Sequence, residues 1–196
     1  KENIMTLKNS INKNVIPKLK SSLLQEQFDQ RGYATNIEKK FIDIVKQEYT
    51  NYKEPESVKS TADITIDNVL IDIKTTDIDR KFKMPNLISI DKLKKLDYNE
   101  NIMYAFISYS SKQNKIVDSS LFYIWELPWR HLAIQNLGKG QLQIKDMKKF
   151  LDDVKNFPKN NKDDWTKEFL KQGKIYYKKM ISKMEKYFQD WPSYVN

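Results

Sequence analysis

Residues 62–76 read ADITIDNVLIDIKTT, and this stretch predicts a β-hairpin. Asp67-Asn68 is a favourable two-residue turn, and alternating β-branched residues flank it on both sides. If this turn closes the hairpin, Ile66 pairs with Val69, and the rest of the register follows by counting back from that pair. The segment therefore predicts two adjacent antiparallel strands around which the fold is built.

Two acids and a lysine share one face of the predicted hairpin. The register places Asp63 directly opposite Asp72, with their Cβ atoms roughly 5 Å apart. Because side chains alternate along a strand, Asp72 and Lys74 point to the same face, together with Leu70. The other face is apolar and carries Ile64, Ile66, Val69, Ile71 and Ile73. Like charges held opposite each other weaken a sheet unless a hard divalent cation neutralises them, so the segment predicts a Mg²⁺ site, with Mn²⁺ as a substitute.

Composition limits the class of protein. A chain of 196 residues with 39% hydrophobic content predicts one folded domain spanning 1–196. The absence of cysteine and the single His131 exclude disulfides, thiolate zinc sites and multi-histidine metal centres. The four glycines form no phosphate-binding loop, so we expect no ATP. No apolar run has membrane-spanning length and no secretory signal is visible, so we expect no membrane partner and a cytoplasmic location.

The charge balance favours a polyanionic partner. Lys and Arg number 35 against 26 Asp and Glu, which gives a formal charge of +9. Such a balance is typical of nucleic-acid-binding proteins, although a genome rich in Lys, Asn and Ile codons would produce it as well.

Periodicity predicts helices before and after a mixed sheet, and hence an α/β fold. The first helix is predicted after Pro17, and Thr35 or Asn36 is predicted to cap the second. Asp163 or Asp164 is predicted to cap a long final helix. The predicted ranges are helices at 18–30 and 163–188, and strands at 102–109, 121–126 and 141–145.

An Asp followed by Asp-x-Lys on the next strand, with a helical Glu upstream, resembles the PD-(D/E)xK nuclease superfamily. Ala62 stands where the name of that superfamily has proline. Five short blocks occur in the order seen in HincII-like type II restriction endonucleases, and the chain is more distantly similar to EcoRV-like enzymes. The blocks are TADI at 61–64, DIKT at 72–75, PNLIS at 85–89, QLQ at 141–143 and WTKE at 165–168. The resemblance covers the chain from about Glu38 to Phe188.

The resemblance implies a restriction endonuclease-like fold with a central mixed β-sheet flanked by helices. It implies a homodimer that uses Mg²⁺ to cut double-stranded DNA at a short palindrome, leaving blunt ends. Asp63, Asp72 and Lys74 would be catalytic, although a purely structural cluster explains the same residues when they are considered alone. Asp63, Asp72 and the carbonyl of Ile73 would hold the metal. Glu38 matches a helical acid near the metal site, and its alternative is a surface carboxylate paired with a lysine.

DNA contacts are expected after the predicted hairpin and in a later loop. An Asn at position 86 can bond a base edge through both amide atoms, and the resemblance matches it to a base-contacting asparagine. Lys83 and Met84 stand where family members press a side chain into the duplex. Ordinary loop and polar hairpin residues are the alternative. The expected set is Thr75, Arg80, Lys83, Met84, Asn86, Gln135, Asn136, Lys139 and Gln141.

Two other functions fit the same residues. One is a repair or junction nuclease on the same fold. The other is a DNA-binding protein without catalysis, which would keep the basic charge and bind in a salt-dependent manner.

Overall fold

The computed structural model describes residues 4–27, 29–55, 62–95, 101–135 and 140–189. Its helices are α1 (Ile4–Asn14), α2 (Ile16–Ser21), α3 (Gln30–Glu48), α4 (Ile90–Lys95), α5 (Met147–Asp153) and α6 (Lys162–Gln189). Its strands are β1 (Tyr52–Lys53), β2 (Ile64–Ile66), β3 (Val69–Asp77), β4 (Asn86–Ser89), β5 (Asn101–Ser110), β6 (Lys115–Tyr123), β7 (Leu132–Gln135) and β8 (Gln141–Ile144).

The larger sheet is mixed, as predicted. Its strand order is β1-β2-β3-β5-β6; β3 and β5 run parallel, and the other neighbours are antiparallel. All ten residues of β5 are buried, which explains why this strand reads as a nearly continuous apolar run. A second, antiparallel sheet has the order β4-β8-β7.

Two hydrophobic cores cover the two faces of the larger sheet. On one face, Ile71 and Ile73 pack with residues of α1, α2 and α3, such as Phe41. On the other face, Tyr104 and Phe106 pack with the second sheet and with residues of α5 and α6. Helices therefore flank both faces of the mixed sheet, in agreement with the predicted α/β class. Leu70, an apolar residue on the acidic face, packs against the second core.

The bounds of the helices before the larger sheet differ from those predicted from the sequence. The helix predicted at 18–30 is wrong, because α2 ends at Ser21 and Leu23 is 83% exposed. The second helix begins at Gln30, before both of the predicted caps, Thr35 and Asn36. Asp29 caps it by accepting a hydrogen bond from the Gly32 N–H at 2.7 Å. Helix α3 thus begins at an earlier capping residue than the one predicted.

Later elements agree better. The predicted strands at 102–109 and 141–145 are confirmed as β5 and β8. The strand at 121–126 is wrong in its second half, because Glu126 accepts from the Tyr123 N–H at 2.7 Å and closes a 3₁₀ turn. The long final helix is confirmed as α6, but Asn161 caps it by accepting from the Asp164 N–H at 2.8 Å.

None of the helices in the described ranges is both long enough and apolar enough to cross a membrane.

Candidate active site

The predicted hairpin forms, and its last rungs are irregular. Ile66 pairs with Val69 across the turn, where Asp67 adopts a φ of 53° that aspartate tolerates better than most residues. The regular pairing ends at Ile64 and Ile71. The prediction that Asp63 and Asp72 form the next regular pair is therefore wrong. The Asp63 N–H donates to the Ile71 carbonyl at 2.9 Å. The Asp63 carboxylate accepts from the Ile73 N–H at 2.6 Å.

Asp72 and Lys74 share a face of β3, as the alternation predicts. The Lys74 Nζ lies 2.8 Å from Asp72 Oδ1, and the two side chains are only 23% and 14% exposed. Burial raises the pKa of Asp72 from 3.8 to about 7, against the opposing effect of Lys74, while the nearby Asp63 carboxylate also raises it. The site therefore contains an acid that is costly to ionise and that a further cation would stabilise.

Glu38 belongs to the same electrostatic environment. It lies on α3, where its side chain is half-buried. Burial raises the pKa of Glu38, the Asp63 carboxylate raises it further, and Lys74 lowers it. Glu38 and Asp72 are thus each within electrostatic reach of both Asp63 and Lys74, which brings the four predicted catalytic residues into one group.

The oxygen atoms around Asp63 suit a hard cation. Because N–H and C=O of one strand residue point to the same edge, the Ile73 carbonyl faces the side on which its N–H meets Asp63. Two carboxylates and a carbonyl are the ligand types that Mg²⁺ prefers. Within the described residues no cluster of three or more acidic, His or Cys side chains could hold a metal. Mg²⁺ sites with one or two carboxylates, completed by water and substrate phosphate, need no such cluster.

A cleft of about 250 Å³ opens between the acidic face of β3 and the second sheet. Its far wall includes Ser89 and Lys92, which the sequence analysis did not select, and Gln141, which it did. The Gln141 side chain donates to the Leu87 carbonyl at 2.7 Å and holds β8 against β4. Ser89 accepts from the Lys92 N–H at 3.3 Å, a capping pattern visible in the sequence as a serine three residues before the lysine. Lys92 adds a second ammonium group to the cleft.

Asn86 is held in place by a residue that the sequence did not reveal. Its Oδ1 accepts from Gln143 Nε2 at 2.9 Å, and the same amide donates to the Met84 carbonyl at 3.3 Å. Gln143 is only 8% exposed. A glutamine within a strand gives no sequence signal that it is buried, so this support could not be predicted. Asn86 itself is exposed at the first position of β4.

The other predicted DNA contacts are scattered. Lys83 and Met84 are exposed in the segment before β4, and Gln135 is exposed at the end of β7, paired with Gln141. Thr75 lies on the face of β3 opposite Lys74 and does not line the cleft.

Arg80 follows β3, where its Nε lies 3.4 Å from Asp77. Asn136 and Lys139 fall outside the described residues.

Tyr104 is a further residue next to the site. Tyr104 on β5 is the pairing partner of Asp72 on the parallel neighbouring strand β3. Its side chain is fully buried, and among the described residues its hydroxyl has no hydrogen-bond partner. Burial raises the pKa of this hydroxyl, and Asp72 raises it further. Only the tertiary register reveals this neighbour, since nothing around Tyr104 in the sequence marks it.

No protein-family model matches this sequence, and no curated protein matches it either.

Proposed function

We propose that the chain is a Mg²⁺-dependent type II restriction endonuclease of the HincII-like group in the PD-(D/E)xK superfamily. In this proposal it hydrolyses phosphodiester bonds within a short palindromic site of double-stranded DNA. The observation that carries the proposal is the largely buried Asp72 carboxyl, with its pKa raised to about 7, beside Asp63 and Lys74 in a cleft. Perturbed acids in a cleft with a specific charged neighbour are typical of catalytic sites.

Phosphodiester hydrolysis needs a positioned water and positive charge against the developing charge on the phosphate. Asp63, Asp72 and the Ile73 carbonyl would hold Mg²⁺, which would supply that positive charge. Lys74 stands beside these acids at 2.8 Å from Asp72, where its ammonium can orient the attacking water. The cost of ionising the buried Asp72 supports the proposal, because a bound cation would offset that cost.

The same cleft offers groups suited to a DNA strand. Lys92 lies on the wall opposite the acids and can contact a phosphate, while Asn86 is exposed nearby on β4. The amide of Asn86, fixed by Gln143, can bond a base edge. A twofold symmetric dimer would match a palindrome, and blunt ends are proposed from the family resemblance alone.

Incubation of the purified protein with plasmid DNA and Mg²⁺ tests the proposal. We expect discrete fragments, no cleavage in EDTA, and loss of cleavage in Asp72→Ala. The matched control is Asp43→Ala, which removes an exposed acid of α3 and should cut normally. Absence of discrete fragments, or an active Asp72→Ala variant, would overturn the proposal. Preference for branched DNA would instead indicate a junction nuclease, and metal-independent binding without cutting would indicate a DNA-binding protein.

A further inference from the structure

The second half of α6 presents large apolar side chains to solvent. Trp165 and Phe169 anchor the first half of the helix in the second core. From residue 177 onward the exposed large hydrophobic residues are Tyr177 at 42%, Ile181 at 56%, Met184 at 55%, Tyr187 at 66% and Phe188 at 53%. Contiguous apolar exposure of this kind marks an interaction surface.

The spacing of these residues is that of a helix-pairing seam. Residues 177, 181, 184 and 188 follow one another at steps of four, three and four, which is the spacing of the a and d positions of a heptad. The positions that would face away from a partner are all polar: Lys179, Ser182, Lys183, Lys186 and Gln189. The helix therefore has a second amphipathic face, distinct from the one that packs on the core.

The two charges beside the seam identify the partner and its direction. Lys178 lies between the levels of Tyr177 and Ile181, and Glu185 lies between the levels of Met184 and Phe188. When two copies of this helix run antiparallel, Lys178 of one copy faces Glu185 of the other, and the twofold axis repeats the pair. Met180 faces Tyr187 in the same arrangement. Parallel helices would leave both charges opposite uncharged residues.

Glu185 is also the only acid among six lysines between Lys171 and Lys186. In the part of the chain that the structure describes, neither Lys178 nor Glu185 forms an ion pair. An antiparallel second copy thus provides a partner for the single acid of this basic segment.

We propose that two copies of this chain associate through antiparallel pairing of residues 177–188 of α6. The helix is already formed and anchored by Trp165 and Phe169, so association does not incur the cost of folding it. The contact adds a physical basis to the proposed two-subunit enzyme. It can be tested without DNA or metal, so the contact and the nuclease activity can fail separately.

Sedimentation of the full chain in EDTA tests the pairing. The wild type should be a dimer. Lys178→Glu and Glu185→Lys should each weaken dimerisation by about tenfold or more, because two pairs per dimer change from attraction to repulsion. An equimolar mixture of the two variants should dimerise again, since both pairs are then opposite in charge. The double variant K178E/E185K should also dimerise. Lys179→Glu is the control, with the same charge change on the outer face, and should stay dimeric.

Ile181→Asp provides a second test that does not depend on the salt bridges. It places a charge in the middle of the seam on both copies and should raise the dimer dissociation constant roughly 100-fold. Circular dichroism should show unchanged helix content, because the residue is exposed. A monomeric wild type would overturn the proposal, and so would a dimer that survives Ile181→Asp or charge variants that fail to complement. A monomer that sediments with anionic lipid vesicles would show that the face binds membranes instead.

Discussion

Asp72→Asn should make the metal-free protein more stable while it abolishes DNA cleavage. In the folded chain the pKa of Asp72 is raised from 3.8 to about 7, chiefly by burial. Between these two pH values the folded state holds a proton that the unfolded state has released. Stability therefore falls as pH rises from about 4 to about 7, and the full penalty remains at higher pH. Asparagine has nearly the same shape and carries no charge, so it escapes this penalty.

The magnitude follows from the pKa values. At about 1.4 kcal/mol for each tenfold change in acidity, the penalty is about 4 kcal/mol at pH 8 and about 2 kcal/mol at pH 5. The stability of Asp72→Asn relative to the wild type should therefore increase by roughly 2–3 kcal/mol from pH 5 to pH 8. Ionisable groups that are present in both proteins contribute equally to their unfolding free energies, so these contributions cancel in the difference.

Urea denaturation at several pH values in EDTA measures this difference. Addition of Mg²⁺ at pH 8 should stabilise the wild type by mass action and leave Asp72→Asn unchanged. Asp43→Asn is the control, since it neutralises an exposed acid and should give a flat difference. A flat or falling difference for Asp72→Asn would refute the conclusion that this carboxyl is destabilised by burial. A variant that still cleaves DNA would remove Asp72 from the catalytic group.

Three other substitutions test separate parts of the site. Lys74→Ala should reduce cleavage at least roughly 100-fold while leaving DNA binding in gel shifts largely intact; normal cleavage would contradict its role. Asn86→Ala should lower discrimination against a single altered base pair by about 1–3 kcal/mol, and an unchanged ratio of cleavage rates would make it a mere strand residue. Tyr104→Phe should raise the unfolding free energy by about 1 kcal/mol, because a buried hydroxyl without a partner is removed. A destabilised Tyr104→Phe would show that the hydroxyl is bonded in solution.

Local patterns were sufficient to predict the hairpin and the central strand. The alternation around Asp67-Asn68 determined which side chains of β3 share a face, and the structure keeps Asp72 with Lys74. The periodicity of α6 likewise predicted its extent. Each of these elements depends on neighbours in sequence, so the signal lies within a short window.

The predicted start of the second helix was wrong because several nearby residues could serve as its cap. Asp29 and the later Thr35 and Asn36 are all suitable capping residues, and only tertiary packing selects the first. The prediction of a strand as far as residue 126 was also wrong. The Glu126 side chain accepts a hydrogen bond from the Tyr123 N–H, and the chain turns there.

The far wall of the cleft depends on contacts that no local pattern encodes. Lys92 lines the cleft opposite the acids because the second sheet packs across the first, and Asn86 is fixed by Gln143 on another strand. Tyr104 becomes a neighbour of Asp72 through a parallel pairing, which requires a long crossover connection. Residues brought together in this way can be found only after the topology is known.

The irregular end of the hairpin explains why Asp63 and Asp72 are unequal probes of function. If the ladder had continued regularly, the Ile73 N–H would have bonded a backbone carbonyl of the neighbouring strand. The Asp63 carboxylate takes that place at 2.6 Å, so it completes the backbone hydrogen bonding and also faces the cleft. Replacing Asp63 by Ala would leave the Ile73 N–H without this acceptor as well as remove a charge, and a loss of activity would have two causes. The Asp72 carboxylate pairs instead with the Lys74 side chain, and its ionisation costs stability. Of these two acids, only Asp72 therefore allows a substitution that abolishes cleavage and at the same time stabilises the fold. Such a substitution separates a catalytic role from a structural one.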